Sequence, residues 1–307
     1  MEHTIRKKRH YSAGDATFNI INYLIFFLIT IICVYPFYYL IINTISSNQL
    51  SANGEINWYP REIQWKNYID VFKLNGLGQA FLVSIGRTVI GTVLTVFTSA
   101  FLGFMFTQQN MWKRSFWYRF VVITMYFNAG LIPTFLIIYN LHLTNTFWVY
   151  ILPTIVQPFN IILVKTYIES IPKSLQEAAE IDGAGILRIF GTIILPISAP
   201  ILATIAIFSA VNQWNSFQDT LVYITDAHLY SLQYLLYTYI NAANSLATLI
   251  KSSPNLNSSV LTSLATQQTP TSVRMTVSII VVLPILVVYP WFQHYFVKGI
   301  MIGSVKG

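Results

Sequence analysis

The sequence predicts an all-α integral membrane protein with six transmembrane helices. Three observations carry that prediction. Hydrophobic residues make up 54% of the 307 positions and charged residues only 9%, against about a quarter charged in an ordinary soluble domain. Six stretches are apolar over a length that can cross a bilayer, which takes roughly 20 residues of helix. Lys and Arg fall unevenly on the segments between these stretches, as they do when alternate segments face the cytoplasm.

The first span, Asn19 to Asn43, has no charged residue and contains the only cysteine, Cys33. No disulfide framework is therefore possible. The apolar run is about twice the length of a signal-peptide core, so a retained helix is expected. Next comes an outside segment, Thr44 to Ala80, with "WYP" at Trp58–Pro60 and "WKNYIDVF" at Trp65–Phe72. Aromatics of this kind favour the membrane–water boundary and predict a short helix along the outer surface. The second span, Phe81 to Phe106, holds a single charge, Arg87, near its start. That side chain is expected to snorkel to the interface.

The third span, Ser115 to Tyr139, contains Pro133; the fourth, Phe147 to Ile168, contains Pro153 and Pro158. A loop over 169–191 leads to the uncharged fifth span, Thr192 to Asn212. The outside segment Gln213 to Val273 predicts a helix near Leu232–Ile240, followed by a polar, irregular loop. The sixth span, Met275 to Val297, carries Pro284 and Pro290. Prolines at this frequency are tolerated in membrane helices because neighbours satisfy the freed backbone groups. No internal repeat stands out, and 1–307 is read as one transmembrane domain.

Arg6, Lys7, Lys8 and Arg9 precede the first span and place the N-terminus in the cytoplasm. With six spans, the C-terminus lies there too. The inside then holds Lys113, Arg114, Arg119, Lys165, Lys173, Arg188, Lys298 and Lys306, while Arg61, Lys66, Lys73, Lys251 and Arg274 fall outside. The net charge of +7 is accounted for by an inner face that suits anionic headgroups, so no nucleic-acid partner is implied.

The cytoplasmic loop "SIPKSLQEAAEIDGAG" pairs Ser174 with Glu177 three residues on, a capping-box pattern that predicts a short helix starting near Leu175. Glu177 and Glu180 suit the positive end of its dipole. Gly183 and Gly185 permit a sharp turn, after which a second helix leads to Leu195-Pro196. Ala178 and Ala179 form a small surface that another backbone can approach, flanked by Leu175, Ile181, Glu177 and Asp182.

Glu177-Ala178-Ala179, three residues, Gly183, nine residues, Ile193, one residue, Leu195-Pro196 is similar to the "EAA" motif of permease subunits of bacterial ABC importers. "NAGLIPTFLIIYNLHLTNTFWVYILP" (Asn128–Pro153) and the C-terminal "LPILVVYPWFQHYFVKGIMIGSVKG" resemble the carbohydrate-uptake branch, of the LplC/YtcP type associated with oligosaccharides and complex glycans. The likeness runs in order over 15–307, apart from 241–272. It implies a type I importer permease fold in the bacterial cell membrane, with a coupling helix that docks on the ATP-binding subunit through Glu177, Ala178, Ala179, Asp182, Gly183 and Arg188. It also implies a second permease, two ATP-binding subunits and an extracellular solute-binding protein as partners. The chain has no G-x-x-x-x-G-K-[ST] phosphate loop, so ATP and Mg are expected on a partner.

A sugar path needs amides and aromatics without dense charge. "NQWNSFQD", Asn212 to Asp219, supplies that mixture at the end of the fifth span, and the resemblance puts the region near the pathway. Asn212, Trp214, Asn215 and Gln218 are therefore the candidate substrate contacts, with Asn128 in "YFNAGLIP" a further one. Polar side chains at this depth otherwise serve as glue between helices. His142 and His294 lack metal-ligand neighbours and read as interfacial. No catalytic constellation is expected. The competing readings are an importer permease for a non-sugar solute such as a peptide, a membrane transferase with acidic or His clusters on a loop, and a secondary transporter with ionisable groups deep in its spans.

Overall fold

The computed structural model describes residues 13–73, 76–241 and 270–299. Every regular element among them is helical. Contacts divide the chain into two compact units, residues 1–68 with 255–279 and residues 69–254 with 280–307.

In the first unit, α1 (Ala13–Thr44) is apolar around its whole circumference, and most of its large side chains are exposed. A helix of that kind is stable only in an apolar solvent. Its end is different: Ile42, Asn43 and Thr44 are buried because the following segment folds back over them. The Asn43 amide donates to the carbonyls of Tyr39 (2.9 Å) and Ile56 (3.2 Å), and its oxygen accepts from Ser51 Oγ at 2.7 Å. Asn67 donates to the Thr44 carbonyl at 2.9 Å and Gln64 to that of Ser46 at 3.0 Å. Two short helices carry this fold-back, α2 (Asn48–Ala52) and α3 (Lys66–Phe72). Trp58 and Trp65 remain exposed, as boundary aromatics would be.

The second unit is built on α4 (Leu77–Met105), which packs against α7 (Pro158–Glu169) and α11 (Ala199–Asn215). Ala100, Phe104, Val164, Ile168, Ile189, Phe190, Ile194 and Ile205 form the core at one end of α4. Val83, Ile138, Val149, Tyr150, Ile151 and Ile224 form it at the other. At Gly103 a β-carbon would stand 2.8 Å from Val164 Cγ1, so the helices touch backbone to side chain through a small residue, as packed membrane helices do.

Three stretches read as continuous spans are interrupted. The third divides into α5 (Arg114–Tyr126) and α6 (Leu131–Asn140). Phe127 is extended and Gly130 has φ +85°, a left-handed backbone that suits glycine. Pro133 then falls in the first turn of α6, where its missing N–H costs no helical bond. The fourth begins as two 3₁₀ turns, Phe147–Tyr150 and Leu152–Thr154, and bends by 49° into α7, with Pro158 in its first turn.

Ahead of the fifth come α8 (Ser174–Ile181) and α9 (Ile186–Ile189). A π turn, Phe190–Ile194, and the short α10 (Leu195–Ile197) follow, and the chain bends by 79° into α11, where Pro200 sits in the first turn. The elements after α11 are α12 (Gln218–Tyr223), α13 (residues 232–241) and α14 (Pro270–Gly299). The helix expected near Leu232–Ile240 is thus present, whereas 242–269 and the His294 side chain lie outside the described residues. By length and apolarity two described helices can cross a membrane, or up to four if each bent pair counts as one span.

Candidate functional site

The turn after α8 explains the spacing of the Glu-Ala-Ala segment. Gly183 has φ +79°; its N–H donates to the Glu180 carbonyl at 3.0 Å, and the Ala184 N–H reaches back to Ala179 at 2.9 Å. This is the Schellman arrangement, which needs a left-handed residue four places after its first carbonyl. Ala179 and Ala184, the two residues it joins, are also the ones that pack on the core formed by α4, α7 and the π turn. Gln176 is half-buried and accepts from Gln108 Nε2 at 3.3 Å, and the remaining residues of α8 are exposed. Leu175, Ala178 and Ile181, three apart on one side, are exposed, with Ile181 at 86%, and Ile186 and Leu187 continue the apolar surface. Glu177, Asp182 and Arg188 are exposed beside it.

The expected capping box does not form. Ser174 is already the first helical residue, following Lys173, and no side chain caps the helix. The Lys173 carbonyl instead takes the N–H groups of Gln176 (2.9 Å) and Glu177 (3.0 Å), so helical bonding has begun one residue before Ser174.

At the other end of α4, Arg87 does not snorkel. It is 1% exposed, and all five of its N–H donors are engaged. Nε and Nη2 donate to Gln213 Oε1 at 3.2 and 3.0 Å, Nη1 donates to the Ser216 carbonyl at 3.2 Å and to Asp219 Oδ1 at 3.1 Å, and Nη2 pairs with Asp219 Oδ2. The guanidinium also lies 4.3 Å from the centre of the Tyr150 ring, a cation–π contact. Gln213 donates in turn to the Tyr150 carbonyl (3.1 Å) and Thr154 Oγ1 (2.9 Å). A β-carbon at Gly91 would stand 2.8 Å from Gln213 Nε2, so glycine leaves the room this amide occupies. The snorkelling reading fails because an opposite charge and a backbone carbonyl are brought to Arg87 by a segment more than a hundred residues away.

Gln213 and Trp214 are buried, while Asn212, Asn215 and Gln218 are exposed. The three candidates share the outer side of the α11–α12 corner, and Gln233 on α13 donates to Asn215 Oδ1 at 3.2 Å. Trp214 faces elsewhere: its indole N–H donates to the Val281 carbonyl at 3.0 Å, and its ring meets Phe81 edge-on at 6.3 Å. There it lines an apolar groove of about 320 Å³ with Ile207, Val211, Pro284 and Val288. Asn128 stands in the break between α5 and α6, its amide oxygen accepting from the Gly130 N–H at 2.9 Å. Sequence reasoning passed over Gln213 and Asp219, although one acidic residue just past an uncharged span, against one Arg near the start of another, was a readable signal.

Residues 95–302 match the family of inner membrane components of binding-protein-dependent transport systems. The chain belongs to that family. It is a permease subunit, a transporter component and not an enzyme, which works with the other parts of such a system. It is similar over nearly its whole length to two permeases of Bacillus subtilis (strain 168). One is the polygalacturonan/rhamnogalacturonan transport system permease YtcP, at 32% identity over 94% of this chain and 98% of the relative. The other is LplC, at 32% over 97% and 98%. The arabinooligosaccharides permease AraQ of Halalkalibacterium halodurans is 30% identical over 92% of this chain and 94% of its own. Among solved structures, a chain of a bacterial ABC transporter involved in import of the acidic polysaccharide alginate superposes with a TM-score of 0.79 at 27% identity, covering 93% of this chain and 99% of that one.

Proposed function

We propose that this permease carries oligosaccharide into the cytoplasm, and that the Schellman turn after α8 is where ATP hydrolysis is coupled to the movement. The observation that carries the sugar assignment is end-to-end similarity to permeases named for polygalacturonan/rhamnogalacturonan and arabinooligosaccharide transport. Support for the coupling role comes from the shape of the turn. Two alanines hold it to the body, while Leu175, Ala178, Ile181 and the charges of Glu177, Asp182 and Arg188 are left outward. A small exposed apolar stripe with a charged rim has the composition of a docking surface.

In this reading the chain is one membrane domain with six spans, the interrupted ones counted with their bends, and both termini are cytoplasmic. It pairs with a second permease, two ATP-binding subunits that hold ATP and Mg, and an extracellular solute-binding protein. Asn212, Asn215 and Gln218 face the pathway and exchange hydrogen bonds with sugar hydroxyls. Closure of the ATP-binding subunits moves the α8 turn and rocks the permease halves about the central path. Trp214, whose indole N–H is engaged within the chain, and Asn128, whose amide oxygen accepts from Gly130, contribute by shaping the helices that border it.

The test is ATPase activity of the whole importer in lipid, with the binding protein offered oligogalacturonides, arabino-oligosaccharides, alginate oligosaccharides, peptides or nothing. Stimulation by one class of oligosaccharide is the expected result. Stimulation by peptide alone would overturn the sugar assignment and leave the importer assignment standing.

A further inference from the structure

The residues of the α11–α12 corner alternate with a period of three. Gln213, Ser216 and Asp219 turn towards α4 and are each held by Arg87. Their immediate predecessors, Asn212, Asn215 and Gln218, are exposed. One guanidinium thus grips three consecutive inward points of the corner, and each outward amide is the neighbour of a gripped residue. The grip spans a place where the helix ends: α11 stops at Asn215, Ser216 is extended, and α12 begins at Gln218. Asn212 and Asn215 share the ladder of α11, but no helical ladder fixes the direction of Gln218 relative to them across that gap. The Arg87 bonds to the Ser216 carbonyl and to Asp219 do.

The arrangement is held from behind as well. Tyr150 lies under the guanidinium, with its hydroxyl donating to the Leu229 carbonyl at 2.6 Å and sharing a hydrogen bond with Thr220 at 3.1 Å. Thr220 shares another with Ser231 at 2.9 Å, just before α13 and its Gln233. A buried ion pair is a poor device for stability alone, since apolar residues of like volume serve as well or better, but it specifies one geometry.

We infer that Arg87 is a positioning residue for substrate recognition: through Gln213, Ser216 and Asp219 it sets the directions in which Asn212, Asn215 and Gln218 present their amides. The inference rests on the reading of those three amides as the pathway face. A lysine at 87 keeps the charge but loses the planar fork, so it cannot hold three separated acceptors.

The experiment uses the assembled importer in proteoliposomes, in a Cys33→Ser background. Single substitutions Asn212→Cys, Asn215→Cys and Gln218→Cys report local geometry through their rates of labelling by a membrane-impermeant maleimide, with Asn57→Cys, an exposed position in the other unit, as the control. Adding Arg87→Lys is expected to change the rates at 212, 215 and 218 and leave that at 57 unchanged. Where Arg87→Lys does not assemble, Asp219→Asn, which keeps the shape and removes one charge, carries the same test. Unchanged rates at the three positions, or an equal change at 57, would overturn the inference.

The functional readout is uptake of an oligogalacturonide, where Arg87→Lys raises KM about tenfold with a smaller effect on kcat, as loss of a pre-set binding geometry does. A fall in kcat with KM unmoved would also count against it. If the labelling rates respond but the combined change of Asn212, Asn215 and Gln218 to Ala leaves KM untouched, the pathway reading fails and the positioning geometry survives.

Discussion

At the scale of single residues, the two ends of α4 show how much one side chain can decide. Gly183 adopts φ +79° with open space around it, so the demand for glycine there comes from the backbone alone. Gly183→Ala is expected to cost about 1 kcal/mol at the turn. It should weaken capture of the ATP-binding subunit on purification and lower the transport achieved per ATP hydrolysed, with membrane insertion unchanged. Normal transport and normal co-purification would remove the turn from the coupling role. The glycine, the two alanines and their spacing were legible in the sequence because a Schellman turn is a local object, closed within six residues. Arg87 was misread because its partners are non-local. A lone arginine near a span end usually reaches for water, and only the fold shows that Gln213 and Asp219 arrive first.

At the scale of elements, composition identified the apolar stretches but not their continuity. Prolines 133, 153, 158 and 200 all sit in or beside the first turns of helical segments, so the sequence contained the places of interruption. What it lacked was the choice between a kink inside one helix and a break between two, which depends on neighbours that satisfy the freed carbonyls. The contact of α4 with α7 is similarly invisible beforehand. A β-carbon at Gly103 would stand only 2.8 Å from Val164 Cγ1 and 3.2 Å from the Lys165 backbone nitrogen, so Gly103→Ala is expected to overpack the pair. The loss should be about 1–3 kcal/mol, read as a lower thermal midpoint of the detergent-solubilised complex. No change in the midpoint would mean that α4 and α7 separate freely at that point.

At the scale of the whole molecule, the positive-inside argument makes a prediction about sidedness. In intact cells with Cys33→Ser, an impermeant thiol reagent should label Asn57→Cys and Thr225→Cys, and should reach Ala178→Cys only after the membrane is opened. Labelling of all three in intact cells would reverse or scramble the orientation, and with it the side on which the α8 turn meets its ATPase. Lys and Arg counts suffice for this prediction because insertion reads charge on short loops and is indifferent to how the helices later pack.

Composition and local pattern were enough to specify the solvent and the family. Scarce charge with long apolar stretches requires a bilayer, and the Glu-Ala-Ala segment with Gly183 specifies a local turn whose geometry follows from its own residues. Folding settled the rest: which polar residues at the α11–α12 corner face in and which face out, where Trp214 directs its indole N–H, and what Arg87 holds. The physical reason is range. Backbone turns and helix composition are settled by residues a few positions apart, whereas the surroundings of a buried charge are settled by segments that meet only when the chain has folded.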